Sequence, residues 1–244
     1  MNILKRELED YKLLLRNVPS LIVTLFVVSV VGMNLLANKE LISLKYLALD
    51  CGFVLSWVSF LCMDIICKHF GAKAAVKISV LALGINVGMC IIFYLVTRTP
   101  GMWGEYYSTG MPEVNAALNA TVGGTWYVVF GSSVAMFVSA VCNSLVNHAL
   151  GKVYKGNDFR SFALRSYIST FIAQFVDNLV FAVIVSYVFF GWSPVQVLVC
   201  SITGGVMELL CEVVFSPVGY RVVKKWKGEK VGEQYINYLS GKQV

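Results

Sequence analysis

The chain has few charged residues and no long polar stretch. Only 14% of its 244 residues are charged, while 57% are hydrophobic and the mean hydropathy is +0.71. No polar block is long enough to form a soluble domain, so the composition is typical of one integral membrane domain. The formal net charge is +6, but the basic residues lie in short clusters beside apolar runs, which argues against a nucleic-acid-binding protein.

The sequence also lacks the common constellations of enzymes. Its two histidines, His69 and His148, do not have H-E-x-x-H spacing, and there is neither a G-x-S-x-G nor a Walker A sequence. Seven cysteines are scattered without a C-x-x-C pair, which indicates neither a zinc site nor a disulfide framework. We therefore expect no catalytic residue, no metal site and no cofactor. Uphill transport would then need an ion gradient or a partner ATPase, and facilitated diffusion would need neither.

Long hydrophobic runs are what the sequence has instead. A charged lead at 1–17 precedes them without a signal-peptide cleavage site, and a basic tail follows at 218–244. Six segments between them are apolar enough to cross a bilayer, at 18–38, 44–66, 78–97, 124–150, 166–190 and 195–217. We predict an all-α membrane protein with six transmembrane helices, a number compatible with two halves of three.

The loops add two expectations. In the longest one, at 98–123, Pro112 is suited to begin a short interfacial helix, and Trp103, Tyr106 and Tyr107 suit the headgroup zone. The predicted topology places 17 of the 20 lysines and arginines on one side of the membrane. By the positive-inside rule, both termini are then cytoplasmic.

The fifth predicted span carries a single charged side chain within its apolar run, Asp177. It lies twelve residues after Arg165, at a depth of roughly 18 Å, near the bilayer midplane. A charge there costs at least about 2.5 kcal/mol on insertion scales, so we expect Asp177 to face the bundle interior and to serve a function.

Helical spacing places a polar stripe around this carboxylate. At about 100° per residue, one face carries Thr170, Gln174, Asp177, Asn178 and Phe181. A hydroxyl, two amides, a carboxylate and an aromatic ring suit a polar, flat ligand. The alternative is that the amides only hydrogen-bond neighbouring helices.

Further carboxylates lie in the second and sixth predicted spans. Asp50, Trp57 and Asp64 follow one another at heptad steps on one face of the second span. Carboxylates inside a membrane bundle usually mark a substrate or ion path. Asp64 has a structural alternative, an ion pair with Lys68 one turn later.

The sixth span combines carboxylates with small residues. Ser201, Glu208 and Glu212 share one face, and the neighbouring Gly204 and Gly205 permit close approach of another helix. Glu212 has its own structural alternative, an ion pair with Arg165 or with a lysine of a connector.

Four stretches of the sequence resemble those of a known family. They are GMNLLANK at 32–39, DIICKHFG at 64–71, RSYISTFIAQFVDNLVF at 165–181 and EVVFSPVGYRVV at 212–223. The third is the most specific, since it resembles an R-x-x-x-S…Q-x-x-D-x-x-x-F signature. The fourth resembles a glutamate-to-proline exit from the sixth span.

The chain thereby resembles the vitamin-uptake-transporter-type (VUT) family of bacterial queuosine-precursor transporters, six-span proteins of the inner membrane. It departs from the pattern D-x-x-x-E-x-Y-G, since the connector lacks the glutamate and has Phe70 for the tyrosine.

The resemblance implies import of a 7-deazaguanine, in its cyano or aminomethyl form or as queuine, for salvage into modified tRNA. Independently, adjacent N–H donors of a guanine-like edge fit one carboxylate, which Asp177 could supply. Whether Asp177 or Glu208 is the main ligand carboxylate is left open. We expect the remaining substrate-binding residues to be Gln174, Asn178, Asn34, Phe181, Trp57 and Glu208. Residues expected to act in coupling or gating are Asp64, Glu212 and Arg165.

The expected partners are a purine-like small molecule and the lipid bilayer. A proton or sodium ion as coupling ion and a homodimer are left open. A competing hypothesis is a vitamin-binding subunit of an energy-coupling-factor transporter, for which only scattered small residues in the first span offer support. A purely structural membrane partner would tolerate apolar replacement of the polar stripe.

Overall fold

The protein is almost entirely helical in the computed structural model, which describes residues 3–99, 112–153 and 159–241. The helices, in chain order, are α1 (Ile3–Asn17), α2 (Ser20–Leu36), α3 (Phe53–Phe70), α4 (Ala72–Val96), α5 (Pro112–Gly123), α6 (Trp126–Val153), α7 (Phe159–Phe181), α8 (Pro194–Gly228) and α9 (Glu233–Leu239). A π-helical turn, Ala182–Tyr187, continues α7. The two described strands, β1 (Glu40–Ser43) and β2 (Ala48–Asp50), form an antiparallel hairpin.

Five helices in the described ranges are long and apolar enough to span a membrane. A sixth span is obtained if α1 and α2, which meet at a bend of 104°, are taken together. Pro19 explains the bend, because proline has no N–H and disfavours helix in the residue before it. The predicted fold class, an all-α membrane protein, is confirmed, with five spans among the described residues or six if the bent pair is one span. The cytoplasmic location of both termini stays a prediction.

The second predicted span differs most from the observed helix. It was expected from residue 44, but α3 begins at Phe53 because the chain before it forms the hairpin. The backbone N–H of Gly52 donates to the Asp50 carboxylate at 2.7 Å, just before the helix starts. Asp50 is therefore not on the helical face with Trp57 and Asp64, as the heptad spacing had suggested. The predicted span took in Ala48 and Leu49 of β2 together with α3, and mean hydropathy does not distinguish a strand from a helix.

The end of the sixth predicted span also differs. The sixth span was expected to end at Pro217, but α8 passes through this proline and continues to Gly228, so the first part of the basic tail is helical. The helix predicted from Pro112 is present as α5. Trp103, Tyr106 and Tyr107 lie outside the described residues.

The chain divides into two compact units. The first comprises Met1–Val31, Leu55–Asn86 and Glu212–Val244. Its buried core includes Leu14, Phe26, Ile66, Ile78 and Tyr235. The left-handed Gly71, with φ +92°, ends α3 and lets α4 begin at once.

The second unit comprises Gly32–Val54 and Val87–Cys211. Its buried apolar residues form two clusters, one around Ala48, Trp192 and Cys200 and one around Val128 and Val185. A short turn leads into α8, where the Ser193 N–H donates to Gln196 Oε1 at 2.9 Å and the Gln196 N–H donates to Ser193 Oγ at 3.3 Å. This reciprocal cap, with Pro194 at the first helical position, specifies where α8 begins.

Candidate functional site

The candidate site is built in the second unit from α6, α7 and α8. The middle of α7 carries the polar stripe that the sequence predicted, and two of its members have partners on other helices. Asp177 Oδ1 accepts a hydrogen bond from Ser139 Oγ of α6 at 2.9 Å. The Ser139 hydroxyl also lies 3.1 Å from the Met136 carbonyl, and its single hydrogen can serve only one of the two acceptors at a time.

Asn178, the next residue of α7, connects this helix to α8. Its Nδ2 donates to Glu208 Oε2 at 2.9 Å and to the carbonyl oxygen of Gln174, also at 2.9 Å. Glu208 is buried, with 7% of its surface exposed. Both N–H groups of the amide are thereby used, and the side chain is held between the two helices.

The glycines of α8 make this contact possible. A Cβ atom on Gly204 would lie 2.8 Å from Asn178 Oδ1, and one on Gly205 would lie 3.3 Å from the backbone nitrogen of Phe175. The close approach that Gly204 and Gly205 predicted is therefore present, and it is made with α7.

Two buried amide atoms in this unit have no hydrogen-bond partner among the described residues. They are Gln174 Oε1, an acceptor, and Asn34 Nδ2, a donor. The two side chains are 6% and 3% exposed. A buried polar group without a partner costs about 1–3 kcal/mol, so such atoms are expected to meet a ligand or an ordered water.

The charged side chains of the site are negative among the described residues. Glu208 interacts electrostatically with Asp177, and more weakly with Asp50. Within the described ranges, neither Asp177 nor Glu208 forms an ion pair with a basic side chain. No group of three histidine, cysteine, aspartate or glutamate residues could hold a metal ion there either. The arrangement therefore suits a ligand that donates hydrogen bonds or carries positive charge.

The other predicted site residues have different surroundings. Phe181 packs against the apolar cluster of Val128 and Val185. Trp57 belongs to the first unit, where its ring stacks on Phe215 at a centroid distance of 4.3 Å. Asp64 forms the ion pair with Lys68 that the sequence offered as an alternative. The side chains of Glu212 and Arg165 lie outside the described residues, so their roles stay predictions.

Ser139 is the contact residue that the sequence did not reveal. It lies in a helix without acidic residues, among other small residues, and a hydroxyl there usually bonds to its own backbone, as Ser133 does with the Val129 carbonyl at 2.6 Å. Only the packing of α6 against α7 brings its hydroxyl to Asp177.

A comparison with models of protein families identifies the family of this chain. Residues 50–222 match a model described as "Putative vitamin uptake transporter". The chain belongs to this family. It is thus a multi-pass membrane transporter, and its matched region includes α6, α7 and α8 with the site described above. Comparisons with curated proteins and with solved structures found no match.

Proposed function

We propose that this transporter imports a 7-deazaguanine precursor of queuosine across the bacterial cytoplasmic membrane. The observation that carries the proposal is a pair of carboxylates, the half-buried Asp177 and the buried Glu208, which contact Ser139 and Asn178 on neighbouring helices. A guanine-type ring presents adjacent N–H groups that one carboxylate accepts as a pair.

The unpartnered amides support the same ligand class. The ring carbonyl of a deazaguanine is an acceptor that Asn34 Nδ2 can satisfy, and a further ring N–H can donate to Gln174 Oε1. Asp177 is the proposed primary ligand. Glu208 would in addition favour a cationic aminomethyl substituent over a neutral cyano group. The resemblance noted in the sequence supports this choice of substrate.

The proposed function is tested by a thermal-shift titration of the detergent-purified protein. Cyano-deazaguanine, aminomethyl-deazaguanine, queuine and guanine are each added to wild type, Asp177→Asn and Glu113→Gln. A ligand that binds only the folded state raises the melting temperature by mass action. We expect a selective rise with one deazaguanine that is lost in Asp177→Asn and kept in Glu113→Gln, whose carboxylate is exposed on α5.

A rise that survives in Asp177→Asn would remove this residue from the site. No rise with any of the four compounds would overturn the substrate while leaving a vitamin-uptake-type transporter. Co-purification of an ATPase module in that case would favour the energy-coupling-factor hypothesis.

A further inference from the structure

The N-terminal helix α1 has two contrasting faces. Its inner face is tied to the first unit, since Leu14 is fully buried and Tyr11 donates to the Lys77 carbonyl at 3.2 Å. The acidic side chains on this side are neutralised by lysines of α4. Glu7 lies 2.9 Å from Lys77 Nζ, and Asp10 lies 3.3 Å from Lys73 Nζ and also pairs with Lys77.

The outer face of α1 is cationic. Lys5, Lys12 and Arg16 are exposed and lie within an arc of about 40° at 100° per residue. None of the three has an acidic partner among the side chains that the structure describes. Glu9 is the one acidic residue beside them with an exposed side chain.

An apolar edge runs along one side of these cations. Leu8 and Leu15 are 54% and 40% exposed and lie about 60–80° from Lys5 around the helix. Neither is needed to fill the core of the first unit. The bend of 104° between α1 and α2 places α1 roughly parallel to the membrane plane if α2 crosses it steeply.

We propose that the outer face of α1 binds the anionic lipid surface of the membrane in which the protein sits. The three cations contact lipid phosphates, while Leu8 and Leu15 enter the boundary between headgroups and acyl chains. Charge complementarity selects this occupant, because the ion pairs with α4 neutralise the inner carboxylates and leave the outer cations unneutralised. A helix with one cationic face and one apolar edge, lying across the end of a span, has the pattern of an interfacial helix.

The test measures the melting temperature of the full-length protein in detergent. Short-chain phosphatidylglycerol, short-chain phosphatidylcholine or inorganic phosphate is present at increasing concentrations. The α1 variant is Lys5→Gln, Lys12→Gln, Arg16→Gln. Its matched control is Lys224→Gln, Lys225→Gln, Lys227→Gln, which removes the same charge from exposed positions of α8. A cation near an anionic surface contributes about fivefold to affinity.

We expect phosphatidylglycerol to stabilise wild type and the control equally, and the α1 variant only at about 100-fold higher lipid concentration, the effect of losing three cations at about fivefold each. Leu8→Ser, Leu15→Ser should weaken the response to both lipids. Equal responses of the two triple variants, or loss in the control alone, would overturn the proposal. So would equal stabilisation by inorganic phosphate, since that indicates an anion site. If the leucine variant responds to the lipids as wild type does, Leu8 and Leu15 do not enter the boundary between headgroups and acyl chains.

Discussion

At the scale of single residues, the hydrogen bond from Ser139 to Asp177 is the contact that orients the candidate carboxylate. A serine and an aspartate on different helices meet at 2.9 Å because α6 packs against α7. Removing the hydroxyl leaves one oxygen of this half-buried carboxylate without its donor, which costs about 1–3 kcal/mol if no water replaces it.

We therefore predict that Ser139→Ala weakens substrate binding by about fivefold to tenfold. Ser139→Thr, which retains a hydroxyl, should restore most of the affinity. The measurement is a ligand titration by thermal shift or calorimetry with the compound that stabilises wild type. Ser133→Ala is the matched control, because Ser133 is also on α6 but bonds only to the Val129 carbonyl at 2.6 Å. Equal losses in the two alanine variants would assign the effect to helix stability.

Asp10 is the second residue for which we make a prediction. Burial raises the pKa of this carboxyl, but hydrogen bonds and charge from Lys77 and Lys73 outweigh it and hold the pKa below its ordinary value. Since the folded pKa is lowered, the stabilisation is present above the unfolded pKa of about 4 and is lost as the pH falls through the folded pKa.

Asp10→Asn should therefore destabilise the protein at neutral pH, by about 3 kcal/mol for a buried pair broken on one side. The difference in stability between Asp10→Asn and wild type should become smaller as the pH is lowered below about 4. Thermal unfolding across a pH series checks both statements. Glu9→Gln changes an exposed neighbour and should have little effect at any pH. A loss of stability in Asp10→Asn that is the same at every pH would contradict the explanation by ion pairs.

At the scale of elements, the packing of α8 on α7 decides the shape of the site. Gly204→Ala places a methyl group 2.8 Å from Asn178 Oδ1, so the amide must move and its bond to Glu208 is strained or lost. We predict a loss of stability of about 1–3 kcal/mol, as for other overpacked contacts, together with weaker substrate binding. Melting temperature and ligand titration measure the two effects.

Gly88→Ala in α4 is the control for this prediction. A Cβ at Gly88 has no neighbour within 4 Å in the structure, and alanine is the better helix former. We expect unchanged or slightly higher stability and unchanged ligand binding. If Gly204→Ala behaves in the same way, α7 and α8 are not held as closely as the structure shows.

At the scale of the whole molecule, the distribution of charge predicts the orientation in the membrane. With 17 of 20 basic residues assigned to one side, both termini should be cytoplasmic. Green fluorescent protein fused to either terminus should fluoresce, and alkaline phosphatase at the same positions should be inactive. Alkaline phosphatase inserted between residues 100 and 111, in the segment predicted to lie outside the cell, should be active. Active phosphatase at either terminus would contradict the predicted topology.

The sequence by itself determined the class of the protein and the stripe on α7. Apolar runs of about twenty residues can satisfy their backbone in a bilayer only as helices, and the spacing along one helix predicts which residues share a face. Asp177, Asn178 and Gln174 followed from this local rule, and so did the glycines of α8.

Only the tertiary structure decided which helices meet at that stripe. Ser139 and Asn178 acquire their partners through packing between segments 38 and 30 residues apart, and no periodicity within a span encodes such a contact. The hairpin before α3 escaped prediction for a related reason. Its pairing joins residues that are not neighbours in the chain, as where the Cys51 N–H donates to the Lys39 carbonyl at 2.7 Å, and mean hydropathy does not encode such a contact.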